Sequence, residues 1–199
     1  LWRPITCTYA RQGTVRNDTF THNKRAELSL ARVNGKEYDY SYDNIGNRQQ
    51  STEDNTITAY SSNALNQYIG LCENEENNFI PEFDSDGNQT LIKTSTGVWS
   101  VVYNALNQPL EFVRTNDDGS LTVISAEYDY MGRRVLKKEE KVIPATDYKE
   151  EQREVISYHR YIYRDYLQIA ALDLTRDTLN ALWYITWDPT EPIATRPLA

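Results

Sequence analysis

Methionine occurs once in this 199-residue chain, cysteine and histidine twice each, and glycine only eight times. Cys7 and Cys72 have no CxxC spacing, which reads as small buried residues or free thiols. His22 and His159 lack a second His or Cys at ligand spacing, so no transition-metal site is expected. No run approaches the ~18 apolar residues of a membrane helix, and Leu1-Trp-Arg-Pro lacks the regions of a signal peptide. Basic residues are outnumbered 29 to 21, and a net charge of −8 argues against a nucleic-acid partner. There is no Gly-rich phosphate loop, no Gly-x-Ser-x-Gly elbow and no His beside a nucleophile. Turn acids such as Asp117-Asp118 are poor candidates for a facing glycosidase pair. The acidic run Glu73 to Asn78 lacks the oxygen spacing and central Gly of an EF-hand loop, and reads as a solvated tip. No cofactor, no metal and no catalysis is the expectation.

Aromatic rings are what the chain has. The hydrophobic fraction of 39% is low for a globular domain, but 15 Tyr, 4 Trp and 4 Phe supply large rings that bury area while Tyr and Trp keep a polar tip. Tyr38-Asp-Tyr-Ser-Tyr-Asp-Asn-Ile-Gly-Asn-Arg48 shows how they are used. In an extended segment Tyr38, Tyr40 and Tyr42 share one face, and Glu37, Asp39 and Ser41 the other. Asp43 then opens a turn and Gly46 closes it at positive φ.

The same grammar recurs. Anchors at His22, Tyr42, Ser62, Phe83, Tyr103 and Tyr128 are spaced by 20, 20, 21, 20 and 25 residues. Each is followed by an Asx residue: Asn23, Asp43, Asn63, Asp84, Asn104 and Asp129. Four positions after the anchor stand Ala26, Gly46, Asn66, Gly87, Asn107 and Gly132, so only Ala26 departs from the residues that tolerate positive φ.

Tyr40 to Asn47, Tyr103-Asn-Ala-Leu-Asn-Gln108 and Tyr128-Asp-Tyr-Met-Gly-Arg133 resemble the YD repeats of RHS (rearrangement hotspot) proteins. Tyr161 to Asp173, with its anchor Tyr163, resembles the last repeat of that family, and Trp187 to Ala199 the run into the RHS core region. In RHS proteins and their relatives, the C components of Tc toxins and the teneurins, such repeats wind into a hollow β shell. The resemblance implies a wall segment of a secreted or cell-surface protein, whose partners are the rest of its shell and an enclosed C-terminal toxic domain. Two other readings follow from it. One is a carbohydrate or cell-surface binding module using Tyr and Trp faces, Trp99 among them. The other is residual aspartyl autoproteolysis at Asp188-Pro189, for which a turn is the better account.

Taken in order, the chain predicts strands at Ile5 to Arg11 and Thr14 to Phe20 around Gln12-Gly13, a strand over Lys24 to Val33 before the hairpin signal Asn34-Gly35, and an outer turn at Glu53-Asp-Asn55. Trp99, Val101 and Tyr103 share a face, as do Ile124, Ala126 and Tyr128. Pro144 interrupts any helix over Lys137 to Arg153, so that stretch predicts a longer hairpin with a projecting, mobile tip around Pro144 to Lys149. Leu167 to Leu174 and Ala181 to Trp187 form the last pair. The organisation is a YD-repeat sheet over 1–136, a charged hairpin tip over 137–154, and a last repeat with run-in over 155–199. The fold class is all-β, with antiparallel hairpins of ~20-residue period. About fourteen strands exceed what one flat sheet carries, so the sheet must coil. The resemblance implies a curved section of the shell wall, with Tyr42, Tyr103 and Tyr128 stacked in a ladder from turn to turn. A section cut from such a wall leaves strand edges that invite self-association.

Overall fold

The structure, a computed structural model, describes residues 5–11, 14–75, 77–176, 178 and 180–186. Gln12-Gly13, the opening Leu1-Trp-Arg-Pro, and Trp187 to Ala199 with Asp188-Pro189 lie outside the described residues. The described chain is all-β, built from hairpins joined in sequence order, and none of its residues is helical.

Two compact units divide at residues 82 and 83. The first holds an eight-stranded antiparallel sheet. Its strands are β1 (Thr6–Arg11), β2 (Thr14–His22), β3 (Leu28–Val33), β4 (Lys36–Tyr42), β5 (Arg48–Glu53), β6 (Thr56–Ser62), β7 (Tyr68–Glu73) and β8 (Asn77–Phe79). The second is a nine-stranded antiparallel sheet. It comprises β9 (Glu82–Phe83), β10 (Gln89–Thr94), β11 (Gly97–Tyr103), β12 (Pro109–Thr115), β13 (Leu121–Tyr128), β14 (Arg134–Ile143), β15 (Gln152–Arg164), β16 (Leu167–Asp173) and β17 (Asn180–Tyr184). Strand order in each sheet follows sequence order without a crossover. Among the described residues seventeen strands, shared between two sheets, thus replace the single sheet of about fourteen that was expected. Strands β14 and β15 run unbroken through residues 137 and 154, the limits that charge composition marks in the sequence.

Two segments differ from expectation. Lys24 to Glu27 form a turn, and β3 starts only at Leu28, because Asn23 uses its side chain to bend the chain there. Asn77 and Asn78 belong to β8, paired with Glu73 and Cys72, so the solvated tip is shorter than the acidic run.

Both faces of the second sheet carry buried side chains. Val101, Ala126 and Ala171 are buried on one, and Val123 and Val142 on the other, where Val123 pairs with Val113 and Glu140. Glu140 is buried but ion-paired, to Lys138 at 2.7 Å and Arg153 at 3.6 Å. In the first sheet Ala31 and Phe79 are buried, together with the carboxylate of Asp18.

Candidate functional site

The hairpins bend at two ends, and one end is a series of five-residue loops. In the second copy the Asp43 N–H donates to the Asn47 carbonyl at 2.8 Å and the Gly46 N–H to the Asp43 carbonyl at 3.4 Å. Asp43 Oδ1 accepts the amides of Ile45 and Asn47, each at 2.9 Å. The same four bonds recur around Asn23, Asn63, Asp84, Asn104 and Asp129. One short side chain therefore satisfies backbone donors that the reversal would leave unpaired. The fourth residue is left-handed in every copy, with φ of 77° at Ala26, 96° at Gly46, 61° at Asn66, 86° at Gly87, 58° at Asn107 and 77° at Gly132. Ala26 departs in residue type but not in conformation.

The fifth loop position follows the first. Where the loop opens on Asp, it ends on a donor: Asn47 Nδ2 donates to Asp43 Oδ2 at 2.9 Å, Asn88 Nδ2 to Asp84 Oδ2 at 3.0 Å, and Arg133 Nε to Asp129 Oδ2 at 2.7 Å. Where it opens on Asn, it ends on an acceptor. Asn23, Asn63 and Asn104 donate from Nδ2 to Glu27, Gln67 and Gln108 at 2.6, 3.0 and 2.8 Å. The two kinds alternate strictly along the chain.

Neighbouring loops explain the alternation. Asn47 Nδ2 also donates to Asn66 Oδ1 at 3.2 Å, and Asn88 Nδ2 to Asn107 Oδ1 at 2.8 Å. An Asn at the left-handed position thus receives the bond of the loop before it. In the other kind, a Cβ at Gly46 would stand 3.2 Å from Glu27 Oε1, and one at Gly132 3.1 Å from Gln108 Nε2. Those neighbours are the ends of flexible side chains, so the positive φ is what favours glycine there. Arg25 donates to the Asp43 carbonyl and Arg133 to that of Asp165, in the same sense. The structural unit is two hairpins, of which the 20-residue period is half.

Anchor tyrosines tie successive copies through their hydroxyls. Tyr42 donates to the Leu28 carbonyl at 2.8 Å, and Tyr103, Tyr128 and Tyr163 to those of Gln89, Pro109 and Arg134, each at 3.0 Å. Each acceptor is the residue directly after the preceding loop. At Ser62, where the phenol is missing, Tyr68 takes over and accepts the Arg48 N–H at 2.9 Å. The expected ring-on-ring ladder of anchors gives way to this linkage, because anchors lie two strands apart, about 9.6 Å, beyond stacking distance. Off the anchor positions, the Tyr60 and Tyr68 rings meet at 5.3 Å between centroids, and the Arg48 guanidinium lies 4.5 Å from the Tyr40 ring and 5.7 Å from that of Tyr60.

These bonds set the charge state of the loops. The Asn88 side chain, with the Asn88, Asp86 and Gly87 amides, holds the Asp84 carboxyl below its ordinary 3.8. Arg133 does the same for Asp129. At Asp43 burial pulls upward but is outweighed by the Asn47 side chain and loop amides, and the net shift is downward. Burial raises the hydroxyls of Tyr103, Tyr128 and Tyr163 above 10.0.

Away from the loops, one face of the second sheet carries a groove of about 430 Å³. Its floor is Ile92, Trp99, Phe112 and Ile124, and its cationic side is Arg134 and Lys137. The Trp99 N–H donates to Thr96 Oγ1 at 3.1 Å, and the Arg114 guanidinium lies 5.1 Å from the indole. Among the described residues no group of three or more His, Cys, Asp or Glu is placed to hold a metal, and no helix is long and apolar enough to cross a membrane.

Among solved structures the chain is similar to a crystal structure of TcdB2-TccC3, with a TM-score of 0.47 and 12% identity over 79% of this chain and 9% of that one. It is similar also to the Photorhabdus luminescens Tc holotoxin pore carrying a TccC3 mutation, at TM-score 0.32, and to a crystal structure of TcdB2-TccC3-TEV, at 0.33. Both are 13% identical over 79% of this chain and 12% of theirs. The chain therefore spans about a tenth of the length of the chains it resembles. No family model matches it, and no curated protein does.

Several residues with structural roles carry no signal in the repeat pattern. Asp18, 1% exposed, accepts the Asn34 N–H of a neighbouring hairpin turn at 3.1 Å and the Arg16 guanidinium at 3.1 Å. Asn74 Oδ1 accepts the Ile57 N–H at 2.9 Å, and Arg114 bridges the Thr96 carbonyl and Asn116. All three tie turns at the end opposite the Asx loops. Cys7 and Cys72 are free and half-buried.

Proposed function

We propose that the chain is a non-catalytic wall segment of an RHS-type β shell, part of a secreted or surface-delivered protein whose shell encloses a C-terminal toxin or effector domain. The observation that carries this reading is the use made of the loop side chains. The polar groups that a catalytic or ligand site would present are bonded to their own backbone and to the next loop, copy after copy. Asp43, Asp84 and Asp129 are held ionised by those bonds, which suits scaffolding and removes them as general acids. Hairpins that bond only to their sequence neighbours extend a wall by repetition.

The alternative, a carbohydrate or cell-surface module, draws on Trp99. Its N–H and the Thr94 and Thr96 hydroxyls are bonded within the turn, so few of the polar groups that orient a sugar remain there. The wall is therefore the favoured reading.

The test is protease protection in the parent protein. Residues C-terminal to the wall resist added protease while it is intact, and Gly46→Val with Gly132→Val exposes them. A C-terminal region digested equally fast with and without the substitutions rejects containment. Loss of glycan-array binding on Trp99→Ala, with unchanged circular dichroism, favours the binding module.

A further inference from the structure

The nine-stranded sheet carries two features that the wall reading does not use, and their chemistries match. The first is the groove over Ile92, Trp99, Phe112 and Ile124. Arg134 and Lys137 flank it, and neither has an ion pair within 4 Å among the described residues. In a chain of net charge −8, an apolar floor beside two cations without ion pairs, Arg134 lying 5.2 Å from the Tyr161 ring, selects an acidic, ring-bearing occupant.

The second feature is the tip of the β14–β15 hairpin. Its turn is closed by two backbone bonds between Thr146 and Lys149, at 2.8 and 3.3 Å. On this turn Tyr148 is 95% exposed, next to the exposed carboxylate of Asp147 and close to that of Glu150. A large ring held fully in water beside acids is the complement of the groove.

The tip is not seated in the groove of its own molecule, since Tyr148 is 95% exposed. A second copy can bring ring and groove together.

We propose that the Asp147-Tyr148 tip of one copy docks in the Trp99–Phe112 groove of a second copy, with the ring on the apolar floor and the carboxylate against Arg134 and Lys137. The contact is head-to-tail, so each molecule keeps one free tip and one free groove, and association continues past the dimer unless a ring closes. It stands whether or not the chain is a shell wall.

The experiment is sedimentation velocity on the 199-residue chain over a concentration series at low salt. The average mass is expected to rise beyond that of a dimer and to fall on adding salt. Tyr148→Ala removes the tip, and Arg134→Gln with Lys137→Gln removes the cationic side; each alone should weaken association tenfold or more. Mixed together, the two variants should form a one-to-one dimer that grows no further, since one brings only a groove and the other only a tip. Tyr148→Ala alters no buried residue, and Lys137→Gln alone serves if Arg134→Gln lowers the Tm. A wild-type chain that stays monomeric throughout overturns the proposal. So does association indifferent to both sets of substitutions, which is the signature of pairing through strand edges, and so does a mixture of folded variants that fails to dimerise.

Discussion

The side-chain amide of Asn88 bridges two loops: it donates to Asp84 Oδ2 at 3.0 Å within its own and to Asn107 Oδ1 at 2.8 Å in the next. A hydrogen bond between residues 19 apart is what turns a string of hairpins into a lateral ladder. Asn88→Ala removes both bonds, while Asn107→Gly removes the acceptor and keeps a residue at ease with positive φ. Urea unfolding of the two single variants and the double should give a coupling of about 0.5–1.5 kcal/mol. Simple additivity would show that the loops are only neighbours.

Donor and acceptor matching between the first and fifth loop positions predicts unequal outcomes for one chemical change. Asn63→Asp faces Gln67, whose amide turns over to donate, so stability should stay within about 0.5 kcal/mol. Asn23→Asp faces Glu27, which has nothing to donate at neutral pH, and should cost about 1–3 kcal/mol. Thermal melts of both variants at pH 7 check this.

Ala26 was expected from its residue type to lie outside the left-handed set, yet its φ is 77°. An L-residue there costs about 1–2 kcal/mol, partly recovered by glycine's larger unfolded-state entropy loss, so Ala26→Gly should stabilise by about 0.5 kcal/mol. Gly87→Val should destabilise by about 2 kcal/mol, since a branched side chain fits φ of 86° worst. Urea midpoints that move in the same direction would contradict the geometry.

The residues that were legible are those whose work is local. Asp43 and Gly46 announce a turn because the Asx oxygen and the left-handed residue act within five positions of each other. Asn34-Gly35 announces a hairpin for the same reason, and both its residues have positive φ. Tyr103 and Val101 could be put on one face by alternation alone. What could not be read depends on which strand lies beside which. The hydroxyl of Tyr128 finds Pro109 only through register, and Asp18 finds the turn at Asn34 across a strand. The division into two sheets depends on backbone pairing between neighbours, which side-chain periodicity does not encode. The alternation of the loops was present in the sequence, visible as Asn followed by Glu or Gln and Asp followed by Asn or Arg. It acquires a meaning only when adjacent loops touch.

Acid and alkaline limits follow from the shifted groups. The carboxyls of Asp43, Asp84 and Asp129 lie below 3.8 in the fold, so their contribution is complete above that value and is lost as pH falls through their lowered ones. The hydroxyls of Tyr103, Tyr128 and Tyr163 lie above 10.0, so theirs is complete below pH 10 and is lost as pH rises through the raised values. A plot of Tm against pH should fall at both ends. Asp129→Asn should flatten the acid limb and Tyr128→Phe the alkaline one, each leaving the other limb in place.

Asp18 separates the worth of a charge from that of an acceptor. Its carboxylate is buried, while its partner Arg16 keeps 43% of its side-chain surface in water, so the ion pair is screened and contributes little. The bond from the Asn34 N–H has no such access to solvent on the acceptor side, and removing the acceptor leaves a turn amide unpaired. Asp18→Ala should therefore cost about 1–3 kcal/mol. Asp18→Asn keeps an oxygen at the same place and loses only the screened charge, so it should cost about 1 kcal/mol or less. Equal losses in the two variants, read from urea unfolding in low and high salt, would mean that charge holds the turn, and salt would then weaken the wild type as well.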